Sequence, residues 1–267
     1  VFTLLIFSIF FKALTTYLLL KFAQMREFSI GKRFVEGYLS QPYSWFLNRN
    51  SADLGKNILS EVQIIIANGV RPIVNLFSQI VVVFMLISLL IYIDPKIAIT
   101  AGIFLSSTYI FIYKLSRNFL KKIGQERLNA NQNRFTAISE AFGAAKEIKL
   151  GRMEQIFIKR FTEPSEIYAR HQSSSQIISQ IPRYFIEAIV FGGILILVLY
   201  LILNNNDFIN IIPIITLYAF AAYRLMPALQ QIFQSFAQLR FVTPALNNLH
   251  NDLESIKAIS NTNENYN

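Results

Sequence analysis

Very apolar stretches alternate with long polar segments along this chain. The apolar stretches cover residues 1–22, 72–93, 97–116, 184–203 and 208–228. Each is close to the roughly 20 residues that a helix needs to cross the hydrocarbon core of a bilayer, which is about 30 Å thick. The pattern therefore predicts an all-α membrane protein with five spanning helices.

The two long polar segments, residues 23–71 and 117–183, contain apolar residues at helical spacing. In the first segment Phe28, Val35 and Tyr38 fall on one helical face, which predicts that this face is packed. The spanning helices are thus expected to continue well beyond the membrane. Each extension must contain a turn.

Breaks in the helical pattern locate the two turns. The first runs from Gln41-Pro42 to Asp53, where proline and polar capping residues precede a helix predicted to begin at Leu54. The second lies near Phe142-Gly143-Ala144-Ala145. The chain therefore has two loop tips, each at the far end of a helical extension.

The distribution of positive charge orients the helices. Lys and Arg recur through both long segments, whereas the short connections at 94–96 and 204–207 contribute only Lys96. Positive residues close to spanning helices are retained on the cytoplasmic side, so both long loops are predicted to be cytoplasmic. Because the net charge of +9 follows this topology, no nucleic-acid partner is expected.

Composition supports a membrane protein and excludes several chemistries. Hydrophobic residues make up 53% of the chain, and 24 residues are Phe. The absence of cysteine excludes disulfides, thiol catalysis and cysteine metal sites, and the chain has only two histidines. The sequence predicts no catalytic residue and no metal site.

Polar residues within the apolar stretches are candidates for a substrate path. Ser8, Lys12 and Thr16 share one face of the first stretch, and Arg224 and Gln231 are seven residues apart near the last. A charge in the membrane needs a partner, a wet cavity or a route to the surface. Alternatively, Lys12 snorkels from the end of its helix, Arg224 is interfacial, and the glutamine belongs to the cytoplasmic extension.

Two sequence runs resemble a known family. The run from Gln41 to Val62 resembles the first intracellular loop of the ABC exporter membrane domain, although the glycine usual after Ser or Thr is replaced near Ala52-Asp53. The run from Ser139 to Phe161, which contains Lys-Glu-Ile-Lys, resembles the second intracellular loop. Within the family, this second run is most similar to flippases of lipid-linked oligosaccharides.

The resemblance implies a half-transporter that pairs with a second copy, in a multi-pass arrangement in the bacterial inner membrane. Residues 1–255 would form five of the six spanning helices of its transmembrane domain, and the first spanning helix is expected upstream of Val1. Residues 256–267 would be a linker toward a nucleotide-binding domain. This chain lacks a Gly-x-x-x-x-Gly-Lys-Ser/Thr phosphate loop. The ATP and Mg²⁺ that the family uses are therefore expected in the nucleotide-binding domain. The residues expected to couple the loops to that domain are Trp45, Phe46, Ser51, Asp53, Glu140, Lys146 and Glu147.

Other functions remain open at the level of sequence. The same scaffold could export peptides or drugs instead of a lipid-like substrate. A membrane-bound enzyme or a receptor domain without ATP coupling is a different class, and an enzyme would need acids, bases or metal ligands gathered near one interface. The acidic residues are instead scattered through the helical loops, as on a solvated helix face.

Overall fold

The computed structural model describes residues 2–47, 49–93, 95–203 and 208–264. Within these ranges no β-strand occurs, which confirms the predicted all-α fold. The helices are α1 (Phe2–Leu39), α2 (Tyr43–Leu47), α3 (Ser51–Lys56), α4 (Val62–Ile65), α5 (Arg71–Ile93), α6 (Pro95–Gly143), α7 (Ala145–Gly151), α8 (Glu154–Leu203) and α9 (Phe208–Glu264), with two π-helical turns, π1 (Asn57–Glu61) and π2 (Ile66–Val70), on either side of α4.

Four of these helices are far longer than a bilayer requires. Helices α1, α6, α8 and α9 contain 38, 49, 50 and 57 residues, against the roughly 20 residues needed to cross the hydrocarbon core. The predicted helical extensions are therefore confirmed. Helix α9 also continues to Glu264, through most of the segment predicted to be a linker.

Length and hydropathy identify membrane-crossing candidates among the described residues. The segments Ile6–Leu39 and Ser51–Tyr92 are each long and apolar enough to cross a membrane, and the most apolar window of each is almost entirely unburied. The other predicted spans, 97–116, 184–203 and 208–228, include residues whose side chains lie outside the described set.

The chain divides into two compact units, each built from separate parts of the sequence. The loop unit comprises Val1–Arg71, Lys121–Ser173 and Leu239–Asn267. The span unit comprises Pro72–Leu120 and Ser174–Gln238, and it contains four of the five predicted spans. The division thus separates most of the membrane-spanning sequence from most of the polar extensions.

The core of the loop unit joins α1, the π-helical region, α6 and α9. Its buried apolar residues are Ala23, Phe34, Tyr38, Val62, Ile65, Ile66, Leu128, Val242, Ala245, Leu249 and Ile256. At Gly124 the backbones of α6 and α9 approach so closely that a Cβ atom there would lie 2.2 Å from the carbonyl oxygen of Phe241. Only glycine fits this position.

The packed face of α1 differs from the one predicted. Tyr38 is buried as expected, but Phe28 and Val35 are 64% and 39% exposed. Ala23 and Phe34 are fully buried in their place. Apolar residues surround much of α1, so helical spacing alone did not identify the side that packs.

In the span unit, the described contacts are mainly aromatic and aliphatic. Leu90 of α5 and Leu225 of α9 are buried together, and Tyr109 of α6 packs on Phe233 of α9 with ring centroids 6.0 Å apart. Many large side chains, such as Phe84 at 71% exposure, point away from the protein. Such exposed apolar side chains suit a helix surface that faces lipid.

Candidate functional site

The first loop tip is a short helix between two turns. Helix α1 ends at Leu39, α2 follows at Tyr43–Leu47, and α3 begins at Ser51, three residues before the predicted Leu54. The side chain of Asn50 accepts a hydrogen bond from the Ala52 backbone N–H at 2.9 Å, which caps α3. The tip is therefore shaped by local capping.

Aromatic contacts fix the tip to the rest of the loop unit. The Trp45 ring lies 5.5 Å from Tyr38 and 5.1 Å from Phe46, measured between ring centroids. The Arg49 guanidinium lies 5.0 Å from the centroid of Trp45, a cation–π contact. Trp45 and Phe46 are both half-buried, whereas Ser51 is exposed. The predicted anchors thus lie on the inner side of the tip.

Asp252 of α9 connects the tip to distant parts of the chain. Its Oδ2 accepts hydrogen bonds from the Tyr38 hydroxyl at 2.7 Å and from Asn57 Nδ2 at 2.9 Å. Its Oδ1 accepts from the Arg49 guanidinium at 2.8 Å, forming a salt bridge. The carboxylate is buried, so these charge-assisted bonds are stronger than exposed ones. We call Asp252 with these three partners the Asp252 hub.

A second buried network lies between π1 and α6. The Arg127 guanidinium donates to both carboxylate oxygens of Glu61, at 3.2 and 3.0 Å, and both side chains are fully buried. Asn131 Nδ2 donates to Glu61 Oε1 at 2.7 Å. π-Helical turns often occur at functional positions, and here π1 carries Asn57 of the Asp252 hub at one end and Glu61 at the other.

Lys56, the residue directly before π1, has a buried side chain. It is only 2% exposed. Burial lowers the pKa of Lys56 below its ordinary value, and the nearby Glu61 and Asp53 carboxylates only partly oppose this effect. Asp53, a predicted coupling residue, accepts a hydrogen bond from Gln132 at 3.1 Å.

The second loop tip is helix α7, which lies between α6 and α8. Its buried side chain is Ile148, and Arg152, directly after α7, adopts the left-handed conformation with φ 51°. The Met153 N–H then donates to the Ile148 carbonyl at 3.0 Å, a hydrogen bond typical of a helix C-terminus. The turn after α7 was not predicted, because arginine gives no sequence signal for positive φ.

The predicted coupling residues of the second tip lie at its surface. Lys146 and Glu147 are exposed on α7, and Glu140 forms a salt bridge with Arg160 of α8 at 3.1 Å. Glu154 accepts a hydrogen bond from Lys149 at 3.0 Å. The backbone N–H at the start of α8, with Lys149, lowers the pKa of the Glu154 carboxyl. The tip thus presents charged groups outward.

The predicted path residues lie on helix surfaces. Ser8, Lys12 and Thr16 are exposed on α1, and the Thr16 hydroxyl donates to the Lys12 carbonyl at 2.8 Å. On α9, Arg224 is exposed and Gln231 is half-buried. These positions are compatible with a polar face on each helix, considered separately.

Sequence reasoning missed the two buried networks altogether. Nothing in the sequence around Glu61, Arg127 or Asp252 distinguishes these residues from the other charges of the loops. Arg127 and Glu61 are 66 residues apart in the sequence. Asp252 is 214 residues from Tyr38 and 195 residues from Asn57. No local pattern marks such contacts.

Comparison with protein families agrees with this architecture. The family model for the ABC transporter transmembrane region matches residues 1–228, which is most of the chain. The match includes both loop tips and all five predicted spans, and it places the protein in a membrane. This chain belongs to the family of ABC transporter transmembrane regions.

Proposed function

We propose that this chain forms the translocation and coupling part of an ATP-driven exporter. In this proposal the two loop tips contact a nucleotide-binding domain, and the helices rearrange around a substrate path. The Asp252 hub is the observation that carries it, because it ties the first tip directly to the C-terminal part of α9. Movement of the tip would therefore be transmitted to α9 and not absorbed by a loose loop.

The second tip supplies exposed charges for the same partner. Lys146 and Glu147 are free to contact a nucleotide-binding domain, while Glu140 is held by Arg160. We expect Glu147→Ala to reduce substrate-stimulated ATP hydrolysis without loss of folded protein. Glu163→Ala, an exposed carboxylate on α8, is the matched control. Unchanged stimulation in Glu147→Ala would remove this residue from the coupling site.

The substrate proposed is a lipid-linked oligosaccharide, moved by a pair of such chains in the bacterial inner membrane. The Lys-Glu-Ile-Lys run at 146–149 supports this branch of the family. Lys12 and Arg224 would contact the pyrophosphate, since arginine matches phosphate oxygens in a fork and lysine acts as a point charge. Both side chains are exposed and therefore accessible to a ligand.

Charge reversal at Arg224 tests the substrate assignment. In proteoliposomes, Arg224→Glu is expected to abolish flipping of a fluorescent lipid-linked oligosaccharide and its stimulation of ATP hydrolysis. Lys121→Glu, at an exposed position on α6, should leave both unchanged. If Arg224→Glu flips the lipid at the unmodified rate, the assignment is wrong. Stimulation by peptides or drugs alone would favour export of those compounds on the same scaffold.

A further inference from the structure

A series of polar contacts runs from α8 to the π-helical turn π1 inside the loop unit. It begins at Tyr168 of α8, whose ring centroid lies 4.1 Å from the guanidinium carbon of Arg134 of α6. Arg134 donates a hydrogen bond to Asn131 Oδ1 at 2.6 Å. Asn131 Nδ2 in turn donates to Ser60 Oγ at 3.0 Å and to Glu61 Oε1 at 2.7 Å. We call these five residues the Tyr168 relay.

Asn131 is the central residue of the Tyr168 relay. Its side chain is fully buried, and both its amide oxygen and its amide nitrogen form the hydrogen bonds just described. A buried amide that loses one of these partners still bears the cost of its desolvation. The position of Asn131 is therefore set by Arg134 on one side and by Glu61 on the other.

The contact between Tyr168 and Arg134 depends on an aromatic ring. A separation of 4.1 Å lies well inside the roughly 6 Å range of cation–π attraction, which is stronger for desolvated groups. Both side chains are half-buried. The Arg127 guanidinium lies 6.0 Å from the same ring, at the limit of this range. Phenylalanine at position 168 would keep the attraction, and leucine would remove it.

Tyr168 belongs to the same helix that leaves the second loop tip. Helix α8 begins at Glu154, after the turn that ends α7, and it continues without a break past Tyr168. Fourteen residues separate Glu154 from Tyr168, which is about 21 Å along the helix. Because a continuous helix acts as a rigid element, a tilt or rotation of α8 at the second tip also displaces this ring.

The other end of the Tyr168 relay meets the Asp252 hub within π1. Glu61 is the last residue of this five-residue turn, and Asn57 is the first. Asn57 Nδ2 donates to Asp252 Oδ2 at 2.9 Å, and the same carboxylate binds Arg49 of the first tip. The relay, π1 and the hub therefore connect α8 to the first tip without a gap.

We propose that Tyr168 is a positioning residue that sets the position of the first loop tip relative to α8, acting through Arg134, Asn131 and π1. The two tips then respond to a nucleotide-binding domain together, and removal of the ring uncouples them. This role in transport rests on the proposed function, because it assumes that the tips contact such a domain. The physical link between the tips does not depend on that assumption.

Hydrogen exchange of the purified full-length protein in detergent, without nucleotide or substrate, tests the link. We expect Tyr168→Leu to speed exchange in residues 51–61 about three- to tenfold, the effect of losing one partly buried cation–π contact. Exchange in residues 242–249, which belong to the core of the same unit, should be unchanged. Faster exchange confined to α6 and α8, or an equal increase in residues 242–249, would overturn the proposal.

Two matched variants separate the effect of the ring from that of any contact between α6 and α8. Tyr168→Phe should exchange at the rate of the unmodified protein, because phenylalanine keeps a ring beside Arg134. Arg160→Met removes the exposed salt bridge between α8 and Glu140 of α6, and it should leave residues 51–61 unchanged. If either variant behaves like Tyr168→Leu, the Tyr168 relay is not the link and the proposal is wrong.

A second variant keeps the test decisive if Tyr168→Leu does not fold. Arg134→Met removes the cation and its hydrogen bond to Asn131 from the other side of the contact. It should speed exchange in residues 51–61 to a similar extent. Arg170→Met, at an exposed arginine of α8 that pairs with Glu166, should not. Unchanged exchange in Arg134→Met would also overturn the proposal.

ATP hydrolysis tests the role of Tyr168 in transport. With a lipid-linked oligosaccharide as the stimulating compound, Tyr168→Leu should lower the ratio of stimulated to basal turnover about three- to tenfold, with the KM for ATP unchanged. Tyr168→Phe should retain the ratio. An unchanged ratio in Tyr168→Leu would exclude this role. If the unmodified protein shows no stimulation, the proposed function fails instead, and hydrogen exchange still decides whether the link exists.

Discussion

At the scale of single residues, substitutions in the ion pair between Glu61 and Arg127 have the largest effect on stability that we predict. Both groups are fully buried and joined by two hydrogen bonds. Removing one partner leaves an uncompensated buried charge, whereas removing both leaves only an apolar contact. Substituting one partner alone should therefore lower the free energy of unfolding more than substituting both.

We expect Arg127→Met to lower the free energy of unfolding by about 3–5 kcal/mol. The double variant Glu61→Leu/Arg127→Met should recover most of this loss. Thermal unfolding of the purified protein in detergent measures both. The exposed pair Glu166–Arg170 is the control, since either single change there should cost less than about 1 kcal/mol. A double variant as unstable as Arg127→Met would contradict the expectation.

Lys56 should make stability depend on pH. Its pKa is lowered in the folded protein, so between the folded and the ordinary value the unfolded chain binds more protons, and stability rises with pH in that window. Below the folded pKa the protein bears the full cost of the buried charge. We expect Lys56→Met to be more stable than the unmodified chain at neutral pH and to lose this alkaline rise. Lys32→Met, at an exposed lysine, should retain the rise.

At the scale of elements, close packing of α6 on α9 depends on Gly124. We expect Gly124→Ala to destabilise the protein by about 1–3 kcal/mol, or more if the helices cannot separate, because the added Cβ meets the Phe241 backbone. Gly55→Ala is the control, since nothing lies within 4 Å of the added atom and alanine favours a helix. Equal melting temperatures for the two variants would contradict this account.

The elements themselves were largely predictable from sequence, and their packing was not. Pro42 and Asn50 are local signals, and they located the first tip to within a few residues. The prediction of the packed face of α1 was wrong at Phe28 and Val35. A helix that is apolar on several sides has no single apolar stripe to identify the packed face. The Asp252 hub could not be predicted for a different reason. The sequence around a single carboxylate gives no information about a hydrogen-bond partner about two hundred residues away.

At the scale of the whole molecule, orientation in the membrane is a direct prediction. Because the chain contains no cysteine, single cysteines can report the side on which each segment lies. Ser51→Cys and Ser139→Cys should react with a membrane-impermeant maleimide only after the cells are opened. Asn205→Cys, in a short predicted connection, should react in intact cells. The reverse pattern would place the basic loops outside and contradict the orientation inferred from charge.

The Asp252 hub has a consequence for how the chain is made. Tyr38, Arg49 and Asn57 leave the ribosome 214, 203 and 195 residues before their common partner. At about 5–20 residues per second, the first tip waits roughly 10–40 s without Asp252. During that interval the tip lacks its hydrogen bonds to Asp252 and is exposed to chaperones and proteases. A ribosome stalled before the codon for Asp252 should therefore hold a chain whose first tip is cut far more readily than in the completed protein.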